Sequence, residues 1–205
     1  MQKNPYPGKF IVIEGLDGSG QTTQANLLRD FLLKTGQGTI LTKEPTRDSE
    51  AGQKIREILD KKTGVELLQL QKLFAQDRKE HLEKLIMPAL KEGKTVISDR
   101  YFFSSFAYGS ASGADLDWLI EINNTFLIPD LTIILKVNPA ICLQRIEKRG
   151  VEKTLFEEEE KLKKVWKVYE TLPNRFENVN IIDGERTIEE VFEEVKSLVH
   201  SKLNL

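Results

Sequence analysis

Phe10-Ile11-Val12-Ile13-Glu14-Gly15-Leu16-Asp17-Gly18-Ser19-Gly20-Gln21-Thr22-Thr23 reads as a buried strand that runs into a glycine-rich turn and then a helix. The spacing meets the phosphate-loop pattern G-x-x-x-x-G-K-[ST] at Gly15, Gly20 and Thr22, with Gln21 where the lysine belongs. Glycines let backbone N–H groups converge on a phosphate with no Cβ in the way, and the following helix aims its partly positive N-terminus at the same point. Gly15, Asp17, Gly18, Ser19, Gly20, Gln21, Thr22 and Thr23 are therefore the candidate phosphate contacts, and the Thr22 hydroxyl is placed to ligate Mg²⁺. Alone the pattern is a weak signal; the strand before it and the helix after it make it specific.

Working outward, the 205 residues suit one domain with a small lid, and 40% hydrophobic content can fill a sizeable core. A net charge of −2 argues against bulk attraction to nucleic acid or to an anionic membrane. One cysteine, Cys142, excludes an internal disulfide and sits in an apolar helical pattern, as a core residue would. Residues 1–9 lack the apolar core of a signal peptide, and no run approaches a membrane span. The expectation is a soluble, cytoplasmic protein.

Short apolar strands are expected at 10–14, 39–42, 95–98, 131–137 and 180–182. Helical patterns fall between and after them at 22–35, 50–61, 65–91, 102–111, 116–126, 139–149, 156–172 and 188–203. This alternation predicts an α/β fold: a five-stranded, doubly wound parallel sheet flanked by helices in three layers, in one domain spanning 1–205. Ligands in such sheets bind beyond the carboxyl ends of the strands. There the sequence puts the glycine loop, Lys43-Glu44-Pro45, Asp99-Arg100 and Asp183-Gly184.

Two of these segments suggest chemistry. Asp99 ends an apolar strand, where a carboxylate holds Mg²⁺ in phosphate-loop enzymes, and Arg100 beside it can clamp phosphate bidentately. Phe74 and Arg78 lie one helical turn apart, so one can stack on a planar heterocycle while the other bonds a ring carbonyl. A phenylalanine at that spacing by itself reads first as core.

The segments Glu14-Gly15-Leu16-Asp17-Gly18-Ser19-Gly20, Thr42-Lys43-Glu44-Pro45-Thr46, Leu73-Phe74-Ala75-Gln76-Asp77-Arg78 and Ser98-Asp99-Arg100-Tyr101-Phe102-Phe103-Ser104-Ser105-Phe106-Ala107-Tyr108 together resemble the thymidylate kinase family. The resemblance spans nearly the whole length. It implies a nucleoside monophosphate kinase-like fold with a small helical lid, and transfer of the γ-phosphoryl of ATP to dTMP with Mg²⁺, usually by a homodimer. It also implies roles. Phe74 would stack on thymine, Arg78 would bond O4, and Ser105 would lie at the N3 edge. Tyr108 would crowd the sugar 2′ position, and Asp17 would meet the 3′-hydroxyl. Arg100 would bridge the two phosphates, with Glu44, Pro45 and Ser104 beside dTMP and Lys43 or Arg47 as a further phosphate contact. A cis peptide at Glu44-Pro45 is possible.

The family resembled comes in two styles, one with an arginine in the loop and one with its cations in the lid. Gly18 is not basic, so this chain fits the second. The candidate lid is 145–156, with Arg145, Arg149 and Lys153 as its cations. Gln21 brings an amide but no charge, so Arg100, Mg²⁺ and a lid cation are expected to stabilise transfer in the lysine's place. Gly109, where the family often has a polar residue, is a second departure. Two other readings stand beside dTMP kinase: a kinase for another nucleoside monophosphate, and a nucleotide-binding protein without turnover.

Overall fold

The computed structural model describes residues 1–60, 63–148 and 158–205. Its first elements are β1 (Gln2–Lys3), β2 (Phe10–Gly15), α1 (Gln21–Lys34), β3 (Thr39–Lys43), α2 (Glu50–Leu59) and α3 (Leu67–His81). A π-helical turn (Leu82–Ile86) leads to α4 (Met87–Lys91), β4 (Thr95–Asp99), α5 (Phe102–Ala111) and α6 (Leu116–Ile122). The remainder is β5 (Leu127–Ile128), β6 (Leu131–Lys136), α7 (Pro139–Glu147), α8 (Glu159–Tyr169), β7 (Val179–Asp183) and α9 (Ile188–Leu203).

The main sheet has the order β3-β4-β2-β6-β7, all parallel. The five expected strands are its five members, each within two residues of the expected ends. β2 lies at the centre with every residue buried, and its alternate side chains serve two cores. Phe10 and Val12 pack with residues of α5 and α8 on one face; Ile11 and Ile13 pack with α1 and α9 on the other. The register sets Ile13 opposite Asp99 and Lys43 opposite Asp99, so the carboxyl ends of β2, β3 and β4 finish level.

Two expected helices differ in the structure. The single helix over 65–91 is interrupted by the π turn, just before Pro88. Proline has no N–H for the carbonyl four residues back and its ring crowds that carbonyl, so the helix widens there. The helix over 116–126 ends at Ile122, because the Asn123 amide turns back to donate to Leu119 O at 2.8 Å. A two-stranded pairing, Gln2 with Leu127 and Lys3 with Ile128, is too short for any sequence period to announce. Cys142 is buried, as expected of a core residue.

Candidate active site

The glycine turn lies between β2 and α1, packed against α7. At Gly18 φ is +86°, and a Cβ there would sit 2.5 Å from the Cys142 carbonyl oxygen. The loop thus has no room for a side chain at 18, basic or otherwise. Arg145, on α7, reaches the loop from outside, with Nη1 donating at 3.4 Å to the carbonyls of Gly18 and Ser19. Arg149 and Lys153 lie outside the described residues, as does most of the candidate lid over 145–156.

Gln21 opens α1 and is buried. Its amide donates to Gly15 O at 2.9 Å and accepts from Arg100 Nη2 at 3.0 Å. Arg100 also donates to Asp17 Oδ1 at 2.7 Å and to Ser104 Oγ at 2.9 Å. Its φ of +76° is in the left-handed region, a strained setting for a residue with a Cβ and one that clusters at functional sites. Burial opposes the Arg100 charge, but Asp17, Tyr108, Tyr169 and Glu14 around it hold its pKa well above the ordinary value. The guanidinium therefore stays charged.

Beneath it Glu14 is fully buried, and this desolvation raises its pKa. Arg100 and hydrogen bonds from Ser104, the Tyr101 N–H and Tyr169 oppose that rise without cancelling it. Ser104 Oγ donates to Glu14 Oε2 at 2.5 Å and Tyr169 OH donates to the same oxygen at 2.9 Å, so α8 is tied to the β2 carboxylate.

At the ends of β3 and β4, Asp99 Oδ2 accepts from Thr22 Oγ1 at 2.5 Å and from Lys43 Nζ at 2.7 Å. Lys43 Nζ is also 3.3 Å from Thr22 Oγ1. Asp99 Oδ1 is buried without a hydrogen-bond partner among the described residues, as is Ser19 Oγ. The hydroxyl and the unpaired carboxylate oxygen are the hard oxygen donors that Mg²⁺ takes.

A cavity opens beside Arg100. It encloses about 790 Å³ of empty space, solvent at its mouth included, and is lined among others by Asp17, Lys43, Glu44, Pro45, Gln71, Phe74, Arg78, Ser104, Ser105 and Tyr108. That size suits a nucleotide. The Glu44–Pro45 peptide is cis. Buried Asp77 holds the turn that follows it, accepting from Thr46 N at 2.8 Å and from the hydroxyls of Thr46 and Ser49. Arg78 donates to Glu44 Oε2 at 2.9 Å, to Asn123 Oδ1 at 2.6 Å and to Ser105 Oγ at 3.3 Å, which leaves a terminal N–H for a ligand. Tyr108 OH donates to Asp17 Oδ2 at 3.0 Å and accepts from Asp17 N at 2.9 Å; burial raises its pKa well above the ordinary value, so it keeps the proton it donates.

The structure thus gathers the expected residues of the described part into two joined compartments. Thr23 is the outlier, exposed on the first turn of α1. His81 also joins the site: its Nδ1 lies 3.1 Å from Glu44 Oε1 and its Nε2 2.6 Å from Thr42 Oγ1. Gln71 was missed. It precedes Arg78 by two helical turns and Phe74 by three residues, a spacing that could have found it.

Comparison with known proteins agrees across the chain. A family model described as "Thymidylate kinase" matches residues 13–195. The probable thymidylate kinase of Pyrococcus horikoshii is 42% identical over 201 residues, 96% of this chain and 98% of that one. The thymidylate kinase of Caldicellulosiruptor saccharolyticus is 36% identical over 202 residues, covering 96% and 98%. Among solved structures, thymidylate kinase from Candida albicans superposes with a TM-score of 0.81 at 27% identity, over 95% of this chain and 92% of that one.

Proposed function

The chain belongs to the thymidylate kinase family and transfers the γ-phosphoryl group of ATP to dTMP; within that activity we propose which residues perform the transfer and how the phosphate loop works without its lysine. The observation that carries the reading is the junction of two compartments at Arg100 and Lys43, with the glycine loop on one side and the Phe74–Arg78 cavity on the other.

In this reading dTMP lies in the cavity with its base against Phe74, its O4 on Arg78 and its sugar beside Tyr108 and Asp17. Glu44, Pro45, Ser104 and Ser105 complete its surroundings, and Arg100 faces its phosphate. The loop from Gly15 to Thr23, with Arg145 behind it, cradles ATP. Thr22 and Asp99 would hold Mg²⁺, which would supply charge to the transferring phosphates. A phosphate oxygen of dTMP forms the new bond to the γ-phosphorus while the bond to the β–γ bridging oxygen breaks, its electron pair leaving on ADP. The side chains contribute position and positive charge, the two things phosphoryl transfer asks of a protein.

Gln21 works as a strut, joining Gly15 O to the Arg100 guanidinium. The missing ammonium is supplied by Lys43, which borders both the acceptor cavity and the Thr22–Asp99 pair. Arg149 and Lys153 are lid cations acting with it, on the strength of the resemblance. A homodimer, a cytoplasmic location, and a single domain with its lid at 145–156 complete the proposal; no described helix is long and apolar enough to cross a membrane.

A substrate panel tests the reading. With ATP and Mg²⁺, dTMP should turn over far better than dCMP, dGMP or dAMP, and chelating the metal should stop it. Equal rates with another monophosphate would overturn the assignment of the cavity.

A further inference from the structure

Gln71 lines the acceptor cavity and is 1% exposed, and its Oε1 has no hydrogen-bond partner among the described residues. A buried amide carbonyl left unpaired is unfavourable, so its presence in a ligand cavity asks for a partner from the ligand. The neighbouring helix is shaped around it. A Cβ at position 109 would stand 3.1 Å from Gln71 Cδ and 2.9 Å from Leu119 Cδ1, so only glycine on α5 lets the amide lie where it does.

We propose that Gln71 reads the base of dTMP by accepting a hydrogen bond from its N3–H. The proposal deepens the placement of dTMP given above and rests on it. Gln71, Phe74 and Arg78 share one face of α3 at positions i, i+3 and i+7. A base stacked on Phe74 with O4 toward Arg78 turns its N3–H along the same face of the helix. Thymine presents carbonyl O4 beside N3–H: an acceptor for the guanidinium, then a donor for the amide oxygen. Cytosine presents the reverse, an amino group against Arg78 and a bare nitrogen against Oε1. Turning the Gln71 amide over would repair the second clash and leave the first. The pair therefore discriminates between pyrimidines, Arg78 at O4 and Gln71 at N3. Ser105, whose hydroxyl accepts from Arg78 at 3.3 Å, steadies the guanidinium rather than reading N3 alone.

Calorimetry without ATP tests this on three ligands: dTMP, dCMP and N3-methyl-dTMP, which lacks the donor. Wild type should bind dTMP about ten- to a hundredfold tighter than the N3-methyl analogue. In Gln71→Ala that gap should shrink to within about threefold, because the hydrogen bond is gone and the methyl finds space. Gln71→Leu should weaken dTMP by a similar factor while weakening dCMP several-fold less, since Arg78 still opposes the cytosine amino group. Equal weakening of dTMP and dCMP would assign Gln71 to packing and overturn the proposal. Wild type binding dTMP and its N3-methyl analogue equally would overturn it without any variant. No dTMP binding by wild type would instead refute the placement of dTMP itself.

Discussion

Replacing Lys43 with methionine removes a charge and keeps most of the stem's volume. The ammonium lies 2.7 Å from Asp99 Oδ2 and 3.3 Å from Thr22 Oγ1. If it stands in for the loop lysine, it stabilises charge on the transferring phosphate. Losing one preorganised donor of that kind costs about 2.7–4 kcal/mol, or ~10²–10³ in rate. The Lys43 side chain is 55% exposed, so solvent screens part of its charge and the loss belongs at the lower end. The expected result is a kcat about 10² lower, with KM for dTMP changed less than about threefold. Lys43→Arg should retain most of the rate. The assay couples ADP release to an optical signal at saturating ATP, Mg²⁺ and dTMP, with melting curves to show that each variant is folded. The same change in a Gln21→Lys background should hurt less, because the restored loop lysine takes up the work; the two effects will not add. A Lys43→Met enzyme within about threefold of wild type would reduce the residue to a rim ion pair and refute the reasoning.

Two further outcomes follow from the geometry. Burial raises the Glu14 pKa above 4.5, so as pH climbs from there through the folded value the unfolded chain binds fewer protons than the native one and stability declines, levelling off beyond. Glu14→Gln should flatten that decline in denaturant melts taken across the acid-to-neutral range, and an unchanged slope would locate the linkage elsewhere. Gly18→Ala sets a Cβ 2.5 Å from the Cys142 carbonyl at a φ of +86°, so the loop must leave its place against α7. ATP binding should fall by more than tenfold, with about 1–3 kcal/mol of stability lost; normal ATP affinity would show that the loop tolerates the shift.

The glycine loop and Asp99-Arg100 were legible because each is local, a few residues at the end of a buried strand; for Phe74 and Arg78 the spacing gave a shared helix face, and only the resemblance gave that face a purpose. What the sequence hid is what other elements bring. Lys43 meets Asp99 through the β3–β4 register, and no property of residue 43 announces its strand partner. Gln21 reads as a defect until its amide is seen holding Arg100. His81 gains a role only when Glu44 folds against it, and Gly109 only when α3 approaches α5. Helix ends were misjudged where one side chain overrode the period, as Pro88 did after the π turn and Asn123 did at the end of α6.

On this mechanism the kinase works with glutamine where its loop would ordinarily carry a lysine. The direct test is formation of ADP and dTDP from ATP, Mg²⁺ and dTMP by wild type and Gln21→Lys side by side. Turnover by wild type, with the lysine changing kcat by less than about tenfold, is the predicted result. A silent wild type brought to life by Gln21→Lys would contradict it.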